Sequence, residues 1–445
     1  MGPGLPHSQR HDARAHDHTH AHGQDHPSRE IAADTVRRAL AVAVAVAAVA
    51  ALAGLLLWWP GGDPDVDQEA LGYADRVRAT VVRSEVGPCT GVPDAECAAI
   101  TTRLTSGPDR GGTAVVETST DADTALSRLS PGDKIVLNDA GADVPAEARY
   151  SFADVQRGRP LAVLALVFAV VVVALGRLRG LLALAGIVLS MGVLLAFIFP
   201  ALLDGAPPLG VALTGATVIA FGTLYLAHGV NDRTTVALLG TLASLALTAA
   251  LAVGFAAAAE LSGLASEESL TLLAFAPDLD FRGLLLAAIV IGTLGVLDDV
   301  TVTQVSAVWE LRAGDPGRSR RDLYRAGIRI GRDHIASTVN TLVLAYAAAA
   351  LPLLLIYTQS GLAFGEVLVT ETIAVEIVQT LVGSIGLVAS VPLTTALACF
   401  VATRAESPDR RPARRPDRRD VTVPPPVERG WRQPAAEDRF WSDPW

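Results

Sequence analysis

The stretch 284–311, LLLAAIVIGTLGVLDDVTVTQVSAVWEL, is an apolar run that meets two adjacent carboxylates, Asp298 and Asp299, before its helical pattern ends. On a period of 3.6 residues, Ala288, Gly292, Gly295, Asp299, Thr303, Ser306 and Glu310 fall on one narrow stripe, and the remaining faces are Leu, Ile and Val. About 20 apolar residues span a bilayer, so the stretch reads as a membrane helix that carries charge. A carboxylate in hydrocarbon costs about 2.5–3.5 kcal/mol on insertion scales and therefore faces protein or a water-filled cavity. The competing reading ends the bilayer near Leu297 and leaves both aspartates among the headgroups. Asp298 and Asp299 are the default site candidates, with Asp299 on the stripe.

The rest of the 445 residues fits this reading. The hydrophobic content of 51% with charge confined to a few segments describes a polytopic membrane protein rather than a soluble enzyme with one core. Apolar runs at 39–59, 160–176, 180–199, 209–227, 234–257, 283–302, 334–357 and 377–401 predict about eight transmembrane helices. Arg177, Arg179, Arg233, the cluster from Arg312 to Arg332 and the tail from Arg404 all fall on one side of these runs. Asp204, Glu260, Glu267, Glu268, Asp278, Asp280, Glu366, Glu371 and Glu376 fall on the other. The positive-inside rule then makes both termini cytoplasmic, in what reads as a bacterial cell membrane. Arg321, Arg325, Arg329 and Arg332 share a helix face opposite Leu323, Ala326, Gly327 and Ile330, as in a helix lying on anionic lipid or capping the bundle.

Five segments follow. Residues 1–38 are a disordered leader in which His11, His16, His18, His20, His22 and His26 alternate with acidic residues; they are candidate ligands for a divalent metal without any zinc-finger spacing. Residues 39–59 are an anchor, read as uncleaved because of its long polar leader. Residues 60–159 carry short β-type runs at 76–86, 112–119 and 134–137 between Gly, Pro and Asp turns, and predict a small extracytoplasmic OB-like barrel. Cys89 and Cys97 in this segment are placed for a disulfide, while Cys399 reads as a small buried residue. Residues 160–403 form a seven-helix bundle, and 404–445 a disordered Arg- and Pro-rich tail whose arginines serve topology rather than nucleic acid.

Other runs also carry polar stripes: Thr214, Thr217 and His228; Ala237, Thr241, Ser244 and Thr248; His334, Thr338, Thr341, Ala345 and Ala348, with Asn340 beside them; and Glu376, Gln379, Gly383, Gly386, Ser390 and Thr394. Such stripes are first of all packing seams. Pro352 and Pro392 interrupt apolar runs and leave either half-helix ends or kinks.

The segments IGTLGVLDDVTVTQVSAVWEL, GIRIGRDHIASTVNTLVLAYAAAALPLLL and EIVQTLVGSIGLVASVPLTTAL resemble the YibE/F family of bacterial multi-pass membrane proteins, over roughly residues 70–401. The resemblance implies an anchor, a small extracytoplasmic domain and a seven-span bundle, but no substrate or reaction. In the family pattern an aspartate stands where Asp299 falls and commonly a non-acidic residue where Asp298 falls. A Gly-Arg-Asp motif maps onto Gly331, Arg332 and Asp333, and an asparagine onto Asn340, without a role for any of them.

The expected function is a secondary transporter or ion permease. Asp299 would bind a cation or proton between the sixth, seventh and eighth spans, with Asn340, Thr341 and Ser384 as neutral ligands and Asp298 or Glu310 as a second carboxylate; oxygen ligands suit protons and hard cations. The rival is a membrane scaffold or sensor whose extracytoplasmic domain binds an envelope partner. Enzymatic chemistry is not expected, because neighbouring aspartates on one helix diverge by about 100° and no nucleophile motif is present.

Overall fold

The computed structural model describes residues 26–62, 75–88, 96–119, 129–145 and 149–404. The His-rich leader up to residue 25, Cys89 and the tail from residue 405 lie outside them. Helix α1 (His26–Leu57) precedes a five-stranded antiparallel sheet of β1 (Asp75–Pro88), β2 (Glu96–Leu104), β3 (Thr113–Ser119), β4 (Lys134–Asp139) and β5 (Tyr150–Val155). Its order is β3-β2-β1-β4-β5, and β3 and β5, the two edges, touch. Three of these strands were legible from alternation; β2 and β5 were not. Alternation puts Val77, Ala79, Val81, Ile100, Val116, Ile135 and Leu137 in one buried core. Beside it Asp139 takes a bidentate pair of hydrogen bonds from Arg149, Nε to Oδ1 at 2.7 Å and Nη2 to Oδ2 at 2.9 Å, and Arg149 also reaches Asp109 at 2.8 Å. These donors hold the Asp139 carboxyl below the usual carboxylate range. Burial and a hydrogen bond to Asp109 push the Tyr150 hydroxyl up to about 12. Cys97 is disulfide-bonded.

The helices follow: α2 (Gly158–Val193), a π-helical turn (Leu194–Ile198), α3 (Phe199–Leu203), α4 (Pro208–His228), α5 (Asp232–Ala258), α6 (Glu267–Phe275), α7 (Phe281–Gly314), α8 (Arg320–Ala349), α9 (Leu351–Gln359), α10 (Phe364–Leu368) and α11 (Glu371–Ala402). Their starts are capped as their sequences dictate: Asn231 accepts from the Thr234 N–H, Asp280 from that of Gly283, and Ser319 from that of Asp322. Six helices among the described residues are long and apolar enough to cross a membrane, or seven if α8 and α9, bent by 62°, are one span. That is consistent with a multi-pass membrane protein.

One of the six, Gly158–Leu203, is 46 residues long, about 69 Å if straight, against a hydrocarbon core of about 30 Å. It is not straight. Arg177 sits at φ 52°, ψ −129°, and beyond it the backbone at Gly180 comes so close to the Val172 carbonyl that no Cβ fits. The expected break between the runs 160–176 and 180–199 is therefore present as a sharp bend. The helix expected over Arg321 to Arg332 is present, though not as a short connector between the runs 283–302 and 334–357. α7 continues to Gly314 and α8 starts at Arg320, because Leu323, Ala326, Gly327 and Gly331 give it a buried face while Arg321, Arg325, Arg329 and Arg332 stay outside. Ile330 is exposed with the arginines.

The bundle centres on α7, which touches α4, α5, α8 and α11. The seam between α5, α7 and α11 is lined with buried hydroxyls: Thr241, Ser244, Thr248, Thr293, Thr301, Ser390, Thr394 and Thr395. Most bond a carbonyl of their own helix, as Ser244 does to Gly240, Thr248 to Ser244 and Thr395 to Val391. These are packing seams in which small residues let helices approach.

Candidate functional site: a carboxylate groove along α7

α7 runs through the middle of the bundle, yet one face of it is left open. From Ala288 to Glu310 its exposed residues are Ala288, Gly292, Gly295, Asp299, Thr303, Ser306 and Glu310, and no Leu, Ile or Val is among them. The stripe seen in the sequence is thus a real face, but not a packed one. Beside Gly295 there is open space, and near Gly292 stand the Tyr346 hydroxyl and the Gln379 amide, themselves 3.2 Å apart.

Asp298 lies beside this face and points inward toward α4 and α5. The Thr223 hydroxyl, which donates to the Ile219 carbonyl at 2.8 Å, is also 3.3 Å from Asp298 Oδ2. One proton serves both acceptors, so the carboxylate receives a share of it. Thr301 donates to the Asp298 carbonyl at 3.1 Å, and its oxygen, 2.7 Å from the Thr241 hydroxyl, can accept from that hydroxyl at the same time. Asp298 Oδ1 is buried with no hydrogen-bond partner. A buried carboxylate oxygen without a donor is costly, and water or a cation in the adjoining cavity would answer it.

That cavity, about 420 Å³, is walled by the second half of α2 (Gly186, Ser190), by α4 (Thr223, His228) and by Asp298 and Asp299. A second cavity of about 530 Å³ is polar, with Arg179, Asn231, Asp232, Arg233 and Ser306 on its walls. Ala227, His228 and Val302 line both, so the two adjoin. The second cavity is at the arginine-rich end of the bundle, where Arg37 meets Asp232 at 3.6 Å and Arg233 meets Glu310 at 3.6 Å. Asp298 is deeper: its neighbour Thr241 lies about 13 Å along α5 from Asp232, and Thr223 about 7 Å along α4 from His228.

The expected ligand set does not assemble. Asn340 and Thr341 are exposed on α8, where Leu342 makes the contact to Gly383, and Thr341 bonds the Ser337 carbonyl. The stripe of Thr341, Ala345 and Ala348 faces outward for the same reason. Ser384 is buried in α11, its hydroxyl without a partner, and Glu310 is at the mouth. The cavity beside the carboxylates is walled by α2 and α4, the third and fourth predicted spans, rather than by the seventh and eighth. Among the described residues no three His, Cys, Asp or Glu side chains form a metal-holding group.

Thr223, Ser190 and Gln304 escaped sequence reading. Gln304 donates to the Gly327 carbonyl at 2.9 Å and to Thr395 Oγ1 at 2.7 Å, fastening α7 to α8 and α11. A lone amide in an apolar run and the small-xxx-small pair Gly327 and Gly331 were the available signals.

No curated protein and no solved structure matches this chain. A family model described as YibE/F-like protein matches residues 164–404, the whole region that builds the groove and more than half of the 445 residues, without reaching the sheet or α1. On that match the chain belongs to the YibE/F-like family.

Proposed function

We propose that the protein is a secondary transporter or ion permease in which a proton or hard cation moves along the open face of α7, held by Asp298 and Asp299. The observation that carries this reading is the composition of that face. The exposed surface of α2, by contrast, is largely Leu, Val and Phe, as at Leu164, Val167, Phe168 and Val171. Gly, Asp, Thr, Ser and Glu on a continuous exposed strip of the central helix fit water rather than acyl chains. Two carboxylates, flanking hydroxyls and groove water make an oxygen-only site, suited to binding that is reversible.

The depth of Asp298 supports the reading. Its neighbours Thr241 and Thr223 stand about 13 Å and about 7 Å in from the ends of α5 and α4, which fits a carboxylate below the headgroups. Counting the Arg177 bend as a division and α8 with α9 as one span gives eight crossings with α1 included, with both termini of the chain on the arginine-rich, cytoplasmic side of a bacterial cell membrane. The sheet is then extracytoplasmic, and its strand order with β3 against β5 supports the reading of an OB-like barrel.

The test is the elemental content of cells lacking the protein, expressing it, or expressing Asp298→Asn, Asp299→Asn or Gly295→Leu, which fills the groove without touching a carboxylate. A selective change in one ion, lost in all three variants, supports permeation and names the substrate. Proton flux in proteoliposomes is read in parallel. No change in any element and no proton flux would overturn the proposal in favour of a scaffold whose sheet binds an envelope partner.

A further inference from the structure

A groove of about 610 Å³ lies between α8 and α11, away from the carboxylates. Arg325, Arg329 and Arg332 line it at the arginine-rich end, and Ile335, Val388 and Pro392 form its wall. All three arginines are exposed, and only Arg325 has a carboxylate nearby, Asp322 at 3.8 Å on the surface. Among the described residues Arg329 and Arg332 make no ion pair. The groove therefore has positive charge at one end and an apolar wall leading from it into the bundle. Pro392 has no N–H, so the Val388 carbonyl on that wall lacks its helical donor.

We infer that this groove binds an anionic phospholipid, its phosphate against Arg325, Arg329 and Arg332 and an acyl chain along Ile335 and Val388. Arginine is suited to bidentate phosphate recognition, and basic pockets between membrane helices take anionic headgroups. A soluble phosphate would use the charged end alone and leave the apolar wall to water; a lipid covers both. Charge complementarity with an anionic headgroup and the single polarity gradient along the groove select the lipid. The site is independent of the transport reading and stands if that reading fails.

The test uses the full-length protein in nanodiscs of phosphatidylcholine with increasing phosphatidylglycerol, read by native mass spectrometry and by melting temperature. Wild type is expected to retain phosphatidylglycerol over phosphatidylcholine and to melt higher as its fraction rises. The triple variant Arg325→Gln, Arg329→Gln, Arg332→Gln should lose that preference by about tenfold or more, while the charge-matched Arg38→Gln, Arg318→Gln, Arg404→Gln keeps it. Val388→Trp, at a position 42% exposed, keeps every arginine and should displace the lipid, so the question stays decidable if the triple variant does not fold. No preference in wild type, equal loss in both triples, undiminished lipid retention in Val388→Trp, or equal protection by glycerol 3-phosphate without acyl chains would each overturn the assignment.

Discussion

Asp298→Asn should make the protein more stable and less active. The carboxylate has one shared hydroxyl proton, from Thr223 at 3.3 Å, and its Oδ1 has no partner. An unshielded aspartate at mid-helix costs about 2.5–3.5 kcal/mol on insertion scales; the Thr223 contact and groove water recover part of that, leaving about 1–2 kcal/mol that a neutral amide would regain. Asn keeps an oxygen for Thr223 and adds N–H donors beside Thr241 and Thr301. For a protein of this size the gain amounts to about 1–2 °C in melting temperature, measured in one detergent at fixed pH. Ion flux should fall to that of empty liposomes. Asp299→Asn, on the open face, should abolish flux with stability unchanged within about 0.5 kcal/mol. A fall in melting temperature for Asp298→Asn would mean that the carboxylate holds the bundle together, and unchanged flux would refute its place in the pathway.

Gly331→Ala should cost about 1–3 kcal/mol, because its Cβ would meet Val391 and stand 2.9 Å from Gln304 Oε1, whereas Gly295→Ala meets nothing within 4 Å and should gain up to about 1 kcal/mol from helix propensity; equal melting temperatures would contradict the packing described. Arg177→Gly relieves a positive φ of 52° and should stabilise by about 1 kcal/mol, with the β-branched Arg177→Val destabilising; the reverse order in thermal unfolding would show the bend to be absent. The folded Asp139 carboxyl is held below its ordinary 3.8. Its contribution to the sheet is therefore complete above that value and lost as pH falls through the lowered one. Acid unfolding followed by circular dichroism should show this loss, and Asp139→Asn should remove it.

The parts of the fold that were legible are those set by local period and charge. The span 283–302 and its stripe, the Gly- and hydroxyl-lined seams and the basic face of Arg321, Arg325, Arg329 and Arg332 all follow from spacing that a helix preserves. Illegible were the directions those faces take. Asp298 and Asp299 differ by one residue, and which of them meets Thr223 of α4 depends on how α4 and α7 pack, which spacing along one helix does not give. Asn340 looked like an interior amide because polar residues in membrane spans usually are; the contact is made by Leu342, two residues on. β5 has no strict alternation, and it pairs with β4 through a register shift at Val136 and Leu137, which a period of two cannot anticipate.

Two kinds of polar lining coexist in this bundle, and hydrogen-bond satisfaction tells them apart. In the α5–α7–α11 seam most hydroxyls spend their proton on a carbonyl of their own helix, so the seam offers little to a passing ion and much to close packing. The exceptions are Thr241, which pairs with Thr301, and Ser384 and Thr394, which have no partner; Thr394 stands where the absence of a side chain at Gly240 lets α5 come close to α11. Along α7 the situation is inverted: open space lies beside Gly295, and Asp298 Oδ1 has an acceptor's capacity that no protein donor fills. Natural bundles leave such a capacity open at a cost. Its position beside a cavity that adjoins a polar mouth gives that cost a physical purpose, since a site whose ligands were already satisfied would bind nothing and one sealed from water would release nothing.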